Sequence, residues 1–88
     1  MSNTWKNPVR IHTGTGAPDI VFGPIQAFEA LNNRWPASRG PKYNDAKRIC
    51  RLAAAGEISI DFARMAFISA AVEASVFDEV GGLIKPTH

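Results

Sequence analysis

Apolar and polar side chains alternate near the start of the chain. Between Asn7 and Thr13, Val9 and Ile11 fall on one side and Arg10 and His12 on the other, with Pro8 just ahead. Such period-two alternation marks a strand with one buried face, and a proline suits its first position. Gly14-Thr15-Gly16-Ala17-Pro18-Asp19 supplies turn residues, after which Ile20-Val21-Phe22 reads as a second strand of a hairpin. Two strands alone are marginal in water, so the hairpin must pack on helices or pair with another strand.

From Gly23 the period becomes helical. Gly23-Pro24 supplies a cap and a first-turn proline, and Ala27, Phe28, Leu31 and Trp35 share one face. Pro36 ends this helix near Trp35, because the residue before a proline avoids helical geometry. A second helix spans about Pro41 to Ala55, with Gly56 as its stop. Tyr43, Ala46, Ile49, Cys50 and Ala53 lie on its apolar side, and Lys47, Arg48 and Arg51 lie opposite. Ser59 can cap a third helix, roughly Ile60 to Phe77, with Asp61 in its first turn.

That third helix is apolar nearly all round. Ala63, Ala66, Phe67, Ala70, Ala71, Ala74 and Phe77 form one face, and Met65, Ile68, Val72 and Val76 form a second stripe. A helix of this kind is central in a core or lies at an interface. The fold class expected is α+β: an N-terminal β-hairpin followed by three α-helices, the third central. The alanine face is assigned to the domain's own core. Met65, Ile68, Val72 and Val76 are then candidates for an interface with a second copy or a protein partner.

With 88 residues, the chain makes a single domain, residues 1–88, with its ordered core at about 7–77 and a C-terminal tail at 78–88. Leu83 and Ile84 of that tail either dock or fray. At 9.5 kDa, folding should leave roughly 5,000 of about 14,000 Å² exposed, enough for one modest core. Dimerisation would add burial. No apolar run approaches the ~20 residues of a membrane-spanning helix. The N-terminus carries no signal-peptide pattern, and the single cysteine, Cys50, cannot form an internal disulfide. Both point to the cytoplasm.

The net charge of +2 conceals an asymmetry. Residues 34–51 hold Arg34, Arg39, Lys42, Lys47, Arg48 and Arg51 against Asp45 alone, a local charge of +5. Two sites follow from it. Arg39 and Lys42 flank the start of the second helix, whose free N–H groups favour an anion. Lys47, Arg48 and Arg51 form a basic face that nucleic acid could use, although no exposed aromatics interleave with it. Both sets read equally as solvated cations.

No catalytic constellation emerges. Cys50 with His12 or His88 would supply a nucleophile and a base, but Cys50 lies in the apolar arc of its helix, where a thiol is inert. One cysteine and two histidines match no common metal spacing, and no cofactor motif is present. Gly14-Thr15-Gly16 lacks the helix and the Lys-Ser/Thr of a phosphate loop. Trp35, at the end of an apolar helical face, belongs to the core. Trp5 is either an anchor or an interface residue.

Trp35-Pro36, Gly40-Pro41, Tyr43, Ala46, Cys50 and Gly56 precede the run Ala63-Arg64-x-Ala66-Phe67-Ile68-x-Ala70-Ala71-x-Glu73-Ala74. This pattern resembles the short bacterial proteins grouped as domain of unknown function family 982, mostly from rhizobia and related alphaproteobacteria. The resemblance runs from the Pro8-Val9 strand to Phe77. Gly23-Pro24 departs from it, since Ser or Thr would be expected as the cap. The resemblance implies a bacterial cytoplasmic protein and carries no activity, ligand or catalytic residue. The reading of the residues is therefore a non-enzymatic binding or regulatory module acting on a protein partner or as a homodimer. The alternative is a nucleic-acid-binding module using the basic face.

Overall fold

A computed structural model of the protein describes residues 3–13, 17–37 and 39–78. Strand β1 (Val9–Ile11) pairs antiparallel with β2 (Asp19–Val21), in the register Val9 to Val21, Arg10 to Ile20 and Ile11 to Asp19. Three helices follow: α1 (Pro24–Asn33), α2 (Pro41–Ala54) and α3 (Ile60–Glu73). This is the expected α+β arrangement of a hairpin and three helices. Val9, Ile11 and Val21 are buried as the alternation requires. The Gly14-Thr15-Gly16 turn and the tail from Glu79, with Leu83 and Ile84, lie outside the described residues.

Both strand ends acquire extra partners. The Trp5 N–H donates to the Phe22 carbonyl at 2.7 Å. Beyond α3, Phe77 forms an antiparallel bridge with Ile11. Around it the His12 N–H donates to Val76 O at 2.8 Å, and the Asp78 N–H donates to Arg10 O at 3.0 Å. β1 therefore sits between β2 and this short return segment. An Arg10–Asp78 ion pair at 3.8 Å lies beside it.

The third helix was expected to reach Phe77, but it stops four residues earlier, at Glu73. Ala74 is its C-cap, and Ser75 adopts a left-handed φ of 62°. The Ser75 N–H donates to Val72 O and the Val76 N–H to Ala71 O, the two bonds of a Schellman ending. The same ending closes α2, where Gly56 has φ 82° and the Gly56 and Glu57 N–H groups donate to Ala53 O and Leu52 O. Gly56 announces its stop in the sequence. Ser75 does not, because serine rarely takes that conformation.

Helix starts are equally local. The Ser59 hydroxyl accepts from the N–H groups of Asp61 and Phe62, as its position implied. Gly23 precedes Pro24 of α1, and a Cβ there would collide with the carbonyl of Asn3. A close backbone crossing thus explains the glycine where a serine or threonine cap was expected. α1 ends at Asn33, and Trp35 lies just beyond it in the loop.

Phe67 of α3 is fully buried at the centre of the core. Its ring lies 6.0 Å from Trp5 and 5.6 Å from Trp35. Trp5 also donates its Nε1–H to Ile60 O at 2.7 Å, which resolves its role as a core anchor. Ala46, Cys50 and Ala53 of α2 and Ala63, Ala70 and Ala71 of α3 are buried. Small side chains let the two helices approach closely and antiparallel: Cys50 lies level with Ala63, and Tyr43 level with Glu73.

Candidate interaction surface

Among the described residues, none covers the outer side of α3. Phe62, Met65 and Val72 are 52%, 67% and 58% exposed, and Ser69 between them is exposed as well. Positions 62, 65, 69 and 72 follow the three-four-three spacing of one helical stripe. Of the stripe expected from the sequence, Met65 and Val72 are exposed and the other two positions are not. Ile68 is half-buried and packs on the core. Val76 leaves the stripe altogether, because the helix has already ended, and it is only 6% exposed. Phe62 was missed, although it stands one helical turn before Met65.

Charge is scarce on this face. α3 carries Asp61, Arg64 and Glu73 and no other charged residue. Arg64 turns away, donating from Nε to Asn7 O at 2.8 Å. Glu73 turns toward α2. An open cleft of about 180 Å³ runs along the α2 side of the stripe, lined by residues that include Lys42, Asp45, Ile49, Phe62, Met65 and Ser69.

At the start of α2, where Arg39 and Lys42 suggested an anion site, the anion is the protein's own. The Glu73 carboxylate accepts from the Lys42 N–H and the Tyr43 N–H, both at 3.2 Å. It caps α2 from the end of α3, taking the Lys42 N–H and sharing the Tyr43 N–H with the Gly40 carbonyl, 3.1 Å away. Gly40 is what lets it in. A Cβ at that residue would stand 2.5 Å from Oε2 and 2.8 Å from Cδ of Glu73. Arg39 does not face this position. It donates to Pro36 O and Trp35 O and lies over the Tyr43 ring at 4.8 Å.

A profile described as a protein of unknown function, DUF982, matches residues 7–77. The chain belongs to that family. The NMR structure of Agrobacterium tumefaciens protein Atu1219 is similar to this DUF982 chain, at 30% identity and a TM-score of 0.66. The likeness covers 97% of this chain and 79% of that one. No curated protein matches significantly.

The remaining candidate residues of this DUF982 chain have structural surroundings of their own. Lys47 also lies over the Tyr43 ring, with Nζ 5.6 Å from its centroid. Arg48 pairs with Asp45 at 3.5 Å, one turn earlier on the same helix. Arg51 occupies the last turn of α2, where the helix dipole favours a cation. Cys50 is fully buried, and burial pushes its thiol up from 9.0 to about 12. A thiol held protonated in this way is a poor nucleophile at neutral pH.

Ile20, Phe22 and Ile25 are exposed as well, and Phe22 and Ile25 line an open cleft of about 240 Å³ at the start of α1. The backbone of Phe22 is already engaged there, with its N–H on Gln26 Oε1 and its carbonyl on Trp5. Among the described residues, no group of three or more His, Cys, Asp and Glu could hold a metal ion. Among the same residues, no helix is long and apolar enough to cross a membrane.

Proposed function

We propose that the protein is a small, non-enzymatic protein-interaction module whose docking surface is the outer face of α3. The observation that carries this reading is the stripe Phe62, Met65, Ser69 and Val72, exposed, contiguous and free of charge. Large apolar side chains grouped on one face are what interaction surfaces expose. Phenylalanine and methionine are enriched, and charged residues depleted, at the centres of such surfaces. The core explains why α3 is apolar on its inner side, since Ala63, Phe67, Ala70 and Ala71 are fully buried. It gives no reason for the outer side to be apolar too.

The basic face of α2 supports nucleic-acid binding less well. Lys47 and Arg48 already engage Tyr43 and Asp45. The test is affinity capture from a lysate of the cells that make the protein, comparing wild type with Met65→Glu. The substitution lies in solvent, so stability should change by no more than about 0.5 kcal/mol. Wild type should retain a defined protein, itself or another, that Met65→Glu loses. Equal retention by both would remove α3 as the docking surface.

A further inference from the structure

The geometry points to a second binding site, on α2, for an acidic segment of a partner protein. It is built on the row Arg39, Tyr43, Lys47 and Arg51, spaced four residues apart. The row stands apart from the α3 face proposed above. Lys42, Asp45 and Ile49 line the cleft beside α3. Lys47 and Arg51 follow Asp45 and Ile49 by two residues, so they lie about 200° further round the helix, on its other side.

Arg39 is held in place. Its Nε–H donates to Pro36 O at 3.1 Å, Nη2 donates to Trp35 O at 3.3 Å, and its Cζ lies 4.8 Å from the Tyr43 centroid. These bonds use two of the five N–H donors of a guanidinium, and the others suit a carboxylate. Lys47 lies over the same ring, with Nζ 5.6 Å from the centroid. Arg51 stands one turn further, about 6 Å along the axis. Carbonyls and a ring place these cations without neutralising them. Among the described residues, no carboxylate pairs with Arg39, Lys47 or Arg51. Asp45, the one acid of α2, is taken by Arg48.

Such a row does not serve the helix, because like charges one turn apart oppose it. What it creates is a positive field that draws an anion. Cations already held in place also lose less freedom when they bind one. An extended peptide carries every second side chain on one side, about 6–7 Å apart, close to the turn spacing of the row. Nucleic acid fits less well. Tyr43, the aromatic of the row, is only 5% exposed and lies beneath both cations, so it offers no platform for a base.

Fluorescence anisotropy of a labelled hexaglutamate peptide, titrated with the whole chain at about 20 mM salt, tests the site. Wild type should bind. Salt at about 500 mM should weaken binding at least tenfold, as screening contracts to a few ångströms. The double variant Lys47→Gln/Arg51→Gln should bind about tenfold more weakly, since an exposed ion pair is worth up to about fivefold. Adding Arg39→Gln should abolish binding. Lys6→Gln/Arg48→Gln removes the same charge elsewhere and should stay within about twofold of wild type. Met65→Glu should bind as wild type does, which separates this site from the α3 face. All variants should keep a folded circular dichroism spectrum. Absence of binding at low salt would overturn the site, and so would an equal loss in Lys6→Gln/Arg48→Gln. Tighter binding of a seven-thymidine strand, equal in charge to the peptide, would overturn the acidic segment as its occupant.

Discussion

Replacing Glu73 with alanine removes the carboxylate that accepts from the Lys42 and Tyr43 N–H groups at 3.2 Å each. Losing a cap of this type costs about 0.5–2 kcal/mol. An anion near a helix N-terminus is worth a further ~0.3–1 kcal/mol at an exposed site. The two effects overlap, so Glu73→Ala should cost about 1–2 kcal/mol. Unfolding entropy scales at about 2.1 cal/mol/K per residue, so a chain of this length should lose about 5 °C in Tm per kcal/mol. The expected fall is therefore about 5–10 °C. Gly40→Ala should do similar damage by another route, because its Cβ would stand 2.5 Å from Oε2 and push the carboxylate off the helix. It also substitutes a poorer N-cap residue for glycine. In the double variant no carboxylate remains to displace, so only the poorer cap adds to the loss. The two changes should couple by about 1–2 kcal/mol, well beyond the ~0.3–0.5 kcal/mol scatter of independent sites. Urea unfolding followed by the fluorescence of the buried Trp5 and Trp35 measures all four corners of this cycle. Strict additivity would mean that Gly40 does not make room for Glu73, and the account of how α2 is capped would fail.

Two further outcomes follow from the same structure. The Cys50 thiol is raised from 9.0 to about 12 by burial, so the folded protein keeps a proton that the unfolded chain releases. Its contribution is complete below pH 9 and is lost as pH rises from there through about 12, at about 1.4 kcal/mol per pH unit. Urea unfolding at pH 8, 9 and 10 should fall more steeply for wild type than for Cys50→Ala, and parallel curves would refute the buried-thiol reading. Ser75→Gly should stabilise by about 0.5–1 kcal/mol, because glycine occupies a left-handed φ without the penalty that serine incurs. A lowered Tm would show that the Ser75 side chain contributes more than its backbone strain removes.

Much of this protein was determined by its sequence, where the decisive interactions are local. Val9 and Ile11 alternate with polar neighbours, and any sheet with one buried face must put them inside. Pro24 and Pro41 begin helices because a proline at the first turn forfeits no hydrogen bond. Ser59 caps α3, and Gly56 stops α2, through contacts within four or five residues. Cys50 was legible as buried from the arc it shares with Ala46, Ile49 and Ala53.

Tertiary structure decided the rest, in each case because the partner is distant along the chain. Glu73 takes the anion site of α2 from thirty residues away, and no local pattern connects a glutamate at one helix end to a glycine before another. α3 ends at a serine, so its stop has no marker. Its consequence is the bridge from Phe77 to Ile11, which makes β1 an inner strand. Val76 thereby moves from the apolar stripe into the core, and Phe62 joins Met65 and Val72 outside. Amphipathicity shows which side of a helix seeks cover only when the other side is polar. On α3 both sides are apolar, so packing against α2 and the rings of Trp5 and Trp35 chose the inner one and left the other exposed.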